Sequence, residues 1–225
     1  MGGGMIRRAP PVMHHDDQVL AAEKIRLLMA LRRSGITDTR VLAAIEHTPR
    51  EAFVSEAQRH HAYDDSALPI EMEQTISQPT VVAWMTQALD IKEGHTVLEI
   101  GTGSGYQAAI LAHLCRRVHT IERHKPLLDI ALARFEALKL RNITPHLGDG
   151  SKGWPHAAPY DRIIVTCAAE DMPNKLLAQL ADGGIMIIPV GTHVANQQLL
   201  KITRQGNDFK SEMMFPVRFV PLVSD

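Results

Sequence analysis

The ten residues Val97-Leu98-Glu99-Ile100-Gly101-Thr102-Gly103-Ser104-Gly105-Tyr106 constrain this chain more than any other stretch. A short apolar run breaks into three alternate glycines and resumes as an apolar-periodic stretch over 108–114, which predicts a strand, a tight turn and a helix. Glycine reaches positive φ without penalty and carries no Cβ to hold a ligand off the backbone. The helix that follows offers unpaired N–H groups and a positive dipole end. Such a turn predicts a cofactor site.

The spacing selects the cofactor. A dinucleotide fingerprint has the form G-x-G-x-x-G, and its third glycine would fall at Tyr106. Glu99, near the end of the strand, would oppose a pyrophosphate but suits a ligand with an ammonium group, so the pattern points to S-adenosylmethionine. A second strand, Arg117–Glu122, ends in an acid 17 residues after Gly105, where a carboxylate can take ribose hydroxyls. A third, Ile143–Leu147, runs into Gly148-Asp149-Gly150, which makes Asp149 a candidate acceptor for an adenine amino group. Ligands in open α/β sheets bind outside the carboxyl ends of strands, and these three acids all lie there.

The remaining pattern predicts an α/β chain with a doubly wound, mostly parallel, Rossmann-like sheet, an N-terminal helical region and a C-terminal antiparallel hairpin. Residues 1–15 read as a flexible tail and 16–225 as one domain, with a helical, substrate-facing part over 16–92 and the cofactor-binding core over 93–225. Asp16 or Asp17 is expected to cap a helix that turns Leu20, Ile25, Leu28, Met29 and Leu31 inward, with Gly35 past its end. Thr37 or Asp38 opens a second helix carrying Val41, Leu42 and Ile45. No sheet pattern is visible up to about residue 92. Pro79 suits the head of a helix over 81–89, which makes Ser77 a cap or near-cap. Farther on, Pro173 heads a helix through Leu180, Asp182-Gly183-Gly184 stops it, and 185–190 form a strand. Segments 199–203 and 209–215 pair as a hairpin, and the apolar stretch 216–222 packs across the sheet edge or lines a groove.

Composition removes other classes. A formal net charge of −1, from 24 basic and 25 acidic residues, leaves no electrostatic footprint for nucleic acid. No apolar run reaches the roughly 18 residues of a membrane span, and no secretory leader is visible, so a cytoplasmic protein is expected; the sequence leaves the oligomeric state open, with a monomer favoured. Cys115 and Cys167 read as buried free thiols, and the 12 histidines show no metal-ligand spacing.

With these residues in place, the chain resembles the protein-L-isoaspartate (D-aspartate) O-methyltransferases from about Gly35 onward. The resemblance rests on Val41-Leu42, Pro49-Arg50-Glu51-Ala52-Phe53-Val54, Gln74-Thr75-Ile76-Ser77-Gln78-Pro79, the glycine turn, Gly148-Asp149-Gly150, Tyr160-Asp161-Arg162-Ile163-Ile164-Val165-Thr166 and Arg218-Phe219-Val220-Pro221-Leu222. It implies methyl transfer from S-adenosylmethionine to the free carboxylate of an L-isoaspartyl residue in a damaged protein or peptide, the first step of its repair. It implies Ser77 as the active-site serine. Cofactor contacts would come from Ile76, Glu99, Gly101, Thr102, Gly103, Ser104, Gly105, Glu122, Gly148, Asp149 and Gly150, and substrate contacts from Thr75, Gln78, Thr166, Arg218 and Val220. The chain departs from the family where bacterial members commonly have Gly-x-Gly before Gln74: here stand Glu71-Met72-Glu73, and Thr80 replaces the usual tyrosine or histidine. The two acids are expected to oppose a substrate carboxylate by about 0.5 kcal/mol each at roughly 8 Å, unless a cation such as Arg218 pairs with them. The alternatives are a methyltransferase of the same fold acting on a small molecule, a nicotinamide dehydrogenase, and a cofactor-binding relative with weakened activity.

Overall fold

The computed structural model describes residues 15–193 and 196–224, so the expected tail lies outside the described residues up to position 14. Helix α1 (His15–Arg33) already includes positions 16 and 17, so it begins before the expected caps Asp16 or Asp17. Leu20, Leu27 and Leu31 form its buried stripe at i, i+7 and i+11. Ile25 and Met29, expected inward, are 59% and 50% exposed, because they fall on the opposite side of that stripe. Helix α2 (Thr39–His47) is capped by Asp38, whose Oδ1 accepts from the Arg40 backbone N–H at 2.9 Å, and it buries Val41, Leu42, Ala44 and Ile45.

The expectation of no sheet before residue 92 is corrected by a small antiparallel hairpin, β1 (Leu68–Pro69) with β2 (Thr75–Ile76). Helix α3 (Pro79–Ala88) follows, and its N-cap is Gln78 rather than Ser77. The cap hydrogen bonds come from outside the helix: Asp65 accepts from the Thr80 backbone N–H at 2.8 Å, the Thr80 hydroxyl at 2.7 Å and Gln78 Nε2 at 3.1 Å. That leaves the Ser77 hydroxyl with no structural hydrogen bond among the described residues.

The rest of the chain builds β3 (Thr96–Ile100), α4 (Tyr106–Ala112), β4 (Arg117–Glu122), α5 (Lys125–Ala137), β5 (Ile143–Leu147), β6 (Tyr160–Val165), α6 (Asn174–Leu177), β7 (Leu180–Val190), β8 (Gln197–Gln205) and β9 (Asp208–Val217). The strands order as β5-β4-β3-β6-β7-β8-β9, parallel from β5 to β7 and antiparallel from β7 to β9. This is the expected mostly parallel sheet closed by a hairpin. The helix after Pro173 is shorter than expected, because β6 captures the chain early: the Tyr160 N–H donates to Gln179 O at 2.8 Å and Tyr160 pairs with Leu180. Asp182-Gly183-Gly184 is therefore an irregularity inside β7, not a helix stop.

One buried apolar cluster runs from Leu20, Leu31 and Phe53 through α3 and α4 to Ile187 and Phe219, so the N-terminal helices share a core with the sheet. A second, around Leu98, Ile163, Met186 and α6, fills the other face. The C-terminal stretch crosses the carboxyl ends of the strands: Ala168 N–H donates to Val220 O at 2.8 Å and Leu222 N–H to Ala168 O at 2.7 Å.

Candidate active site

The chain leaves β3 for β4 and β5 on one side and returns to β6 on the other, so a crevice opens at the carboxyl ends of β3 and β6. The glycine turn sits there, and its three glycines do different work. A Cβ on Gly101 (φ +92°) would stand 2.5 Å from Thr166 Oγ1, which itself lies 2.7 Å from Gly101 O and braces the turn from β6. Gly103 (φ +51°) faces the cleft, with only Ile70 Cδ1 near, at 3.9 Å. Gly105 (φ +88°) does not line the cleft as expected; it brings α4 against α5, where a Cβ would lie 2.7 Å from the Phe135 ring. An open backbone face with a cradle a Cβ would fill fits a close-bound cofactor.

Of the three acids, one faces the cleft. Glu122 Oε2 accepts from Gly103 N–H and Oε1 from His124 N–H, both at 2.9 Å, which aims the carboxylate at the cavity. Glu99 is corrected: its side chain is fully buried behind the turn, where it accepts from the Thr120 hydroxyl, which in turn contacts Thr102 Oγ1 at 2.6 Å. Asp149 and Gly148 also stand off the cleft wall, which Gly150 forms instead. Asp149 accepts from Ser151 N–H at 2.9 Å and pairs with Lys152 at 3.1 Å, so it shapes the loop.

Burial drives the Glu99 carboxyl up to about 8, so it is held neutral at pH 7. An acid raised in the folded state contributes its full stability below its unfolded value near 4.5 and loses it as pH rises toward 8. Glu99→Gln keeps the shape without the titration. The wild type is therefore expected to lose stability relative to that variant between pH 4.5 and 8; parallel melting midpoints across that window would refute the assignment.

Two cavities meet at Ser77. The first, of ≈ 290 Å³, is a small-molecule-sized cleft walled by Ile76, residues 100–104, Glu122, Gly150 and the C-terminal residues 220–223. The second is a groove walled by Ala67, Gln78, Val81, Arg218 and Phe219. Thr75, Ser77, Thr166 and Val220 line both. The expected substrate residues thus fall in the groove or at the junction. Sequence reasoning missed Tyr106, Arg123, His124 and Cys167 in the cleft wall. Tyr106 is held by Arg50 over its ring at 4.9 Å and by an edge contact with Phe53. Burial pushes the Cys167 thiol up to about 12, which disfavours the thiolate at pH 7. Among the described residues no three His, Cys, Asp or Glu side chains are arranged to hold a metal ion.

Neither Glu71 nor Glu73 lines the groove itself. Glu71 acts on Arg134, whose guanidinium donates to Ser104 O at 3.0 Å, and Glu73 lines the cleft.

A family model described as protein-L-isoaspartate(D-aspartate) O-methyltransferase matches residues 22–225. The protein-L-isoaspartate O-methyltransferase of Parvibaculum lavamentivorans is 57% identical over 203 residues, 89% of this chain and 91% of that one. That of Rhodospirillum rubrum is 56% identical over 204 residues, 90% and 93% of the two chains. Among solved structures, a protein-L-isoaspartate O-methyltransferase superposes with a TM-score of 0.82 at 27% identity, over 89% of this chain and 66% of that one. The Plasmodium falciparum protein of this name, in complex with S-adenosyl-L-homocysteine, superposes with a TM-score of 0.76 at 26% identity, over 90% and 99%.

Proposed function

Because the chain belongs to the protein-L-isoaspartate (D-aspartate) O-methyltransferase family, we propose that its cleft takes the cofactor, its groove the damaged peptide, and Ser77 the place where they react. The protein is an S-adenosylmethionine-dependent enzyme that methylates the free carboxylate of L-isoaspartyl residues in damaged proteins and so begins their repair. The observation that carries the residue assignment is the shared wall: Thr75, Ser77, Thr166 and Val220 border both cavities, which is where a methyl group in the cleft and an acceptor oxygen in the groove would meet.

A carboxylate with an ordinary pKa near 4 is ionised at neutral pH, so the acceptor needs no general base. The cofactor's sulfonium supplies an activated methyl group. This chain's residues align and enclose: Glu122 would take the ribose hydroxyls, Thr102, Gly103 and Ser104 would offer backbone to the rest of the cofactor, and Gly150 would close the cleft wall beside it. Asp149 and Glu99 hold those loops from behind. Ser77 orients an acceptor oxygen or a neighbouring amide, and Arg218, exposed in the groove, attracts the substrate carboxylate. The residues 219–223 keep water out. Good alignment can contribute about 7–11 kcal/mol.

The test is transfer of a labelled methyl group to matched isoaspartyl and aspartyl peptides, with label expected only on the first. Ser77→Ala is expected to lower turnover at least tenfold with cofactor affinity unchanged, since no structural hydrogen bond is lost. Normal turnover in that variant would remove Ser77 from the reaction. The shared core from Leu20 to Phe219 supports one methyltransferase domain over 16–225. No described helix is long and apolar enough to cross a membrane; we place the enzyme in the cytoplasm, and its near-zero net charge argues against a nucleic-acid partner.

A further inference from the structure

Ser77 is held from both sides by one short run of chain, residues 65–69. On one side Leu68 pairs with Ile76 and Pro69 with Thr75 in the β1–β2 hairpin. On the other, the Asp65 carboxylate takes three donors. Its Oδ1 accepts from the Thr80 backbone N–H at 2.8 Å, and its Oδ2 accepts from the Thr80 hydroxyl at 2.7 Å and from Gln78 Nε2 at 3.1 Å. The run therefore fixes Ile76 and Gln78, the two neighbours of Ser77, while the Ser77 hydroxyl bonds to nothing among the described residues. It is also anchored to the far wall of the site. Arg50, fully buried, reaches Ser66 O with Nη2 at 3.4 Å and lies 4.9 Å from the centroid of the Tyr106 ring, which lines the cofactor cleft, and Ala67 lines the groove.

Asp65 is exposed, so water would serve its oxygens nearly as well as these donors do, and the net gain in stability from such bonds is modest. What the three bonds add is geometry. Both carboxylate oxygens are engaged, which fixes the orientation of the group and, with it, the entry of the chain into α3. We infer that Asp65 is a positioning residue for methyl transfer, which holds the Ser77 hydroxyl at the junction of cleft and groove by pinning Gln78 and Thr80. The inference rests on the assignment of Ser77 to the reaction. Alignment is the protein's main contribution to a transfer between two groups that are already reactive, and a misplacement of about 1 Å can cost up to about 100-fold in rate.

Methylation kinetics on an isoaspartyl peptide test it, with S-adenosylmethionine binding titrated by calorimetry in every variant so that kcat is counted per binding-competent site. Asp65→Ala is expected to lower kcat about tenfold with cofactor affinity unchanged, and Thr80→Val, which keeps the backbone donor, to lower it by less. Asp64→Ala removes the neighbouring acid, which pairs with His61 instead, and is expected to leave kcat at the wild-type value. In the Ser77→Ala background, Asp65→Ala is expected to cost nothing further, because a residue that acts only through Ser77 has nothing left to place. A plain helix cap would lower the melting midpoint in both backgrounds and leave kcat per site unchanged, and that result overturns the inference. So does a further tenfold loss on top of Ser77→Ala, or an equal loss in Asp64→Ala, which would give the effect to the charge of the loop. Failure of the Ser77 assignment reads differently: Ser77→Ala alone would turn over normally, and both readings would fall together.

Discussion

Glu122→Ala is expected to weaken S-adenosylmethionine binding by about 1.5–3 kcal/mol, the worth of hydrogen bonds to a charged group, or roughly 10- to 150-fold. The structure gives two reasons for the upper part of that range. The ribose loses its acceptor, and the N–H groups of Gly103 and His124 lose theirs, so the cleft-facing glycine turn loosens as well. Glu122→Gln separates the two, because it keeps one acceptor oxygen but turns an amide donor toward one of those N–H groups; it is expected to fall between wild type and alanine. Calorimetry that finds unchanged affinity in the alanine variant would leave Glu122 a structural brace only.

Gly105→Ala is expected to cost about 2–5 kcal/mol of folding stability, from about 1–2 for a left-handed residue with a Cβ and about 1–3 for overpacking. The added methyl would meet the Phe135 ring at 2.7 and 2.9 Å and the Ala131 Cβ at 3.2 Å, in the contact between α4 and α5. That is a large share of the roughly 5–15 kcal/mol that a domain of this kind holds. Denaturant unfolding measures it, and Phe135→Leu in the same chain is expected to return the packing part but not the backbone part. A loss below about 1 kcal/mol would mean that the two helices separate easily and that Gly105 serves the ligand after all.

Both predictions concern residues that the sequence marked for the cofactor, yet only Glu122 lines the cleft. Alternating glycines after a buried strand, and an acid at the end of the next, are local patterns with local causes: positive φ, absent Cβ atoms, and a carboxylate at a strand's carboxyl end. They were legible in order along the chain, and so were the parallel sheet and the closing hairpin, because apolar runs and turn residues repeat with the element. Glu73 and Glu71 show the limit. Two acids two residues apart read as one repulsive patch, but at a left-handed pair, Met72-Glu73, only the second of them lines the cleft.

What the sequence by itself determined was therefore the cofactor class and the sheet, since each follows from spacing within a few residues; the role of the segment bearing Ser77 came only with the family resemblance. The tertiary structure alone decided which side of each strand or turn faces the ligand. Glu99 points into the core because side chains alternate along β3 and its face is covered; Gly105 packs because α5 crosses above it; Asp149 holds its loop because Ser151 and Lys152 reach its oxygens first. Asp65 could not be read as the cap of α3 from 15 residues away, because its partner Thr80 is brought to it only by the folding of the loop between them. A pattern names the atoms that can do the chemistry, and packing selects among them, because orientation depends on neighbours that are distant in the chain.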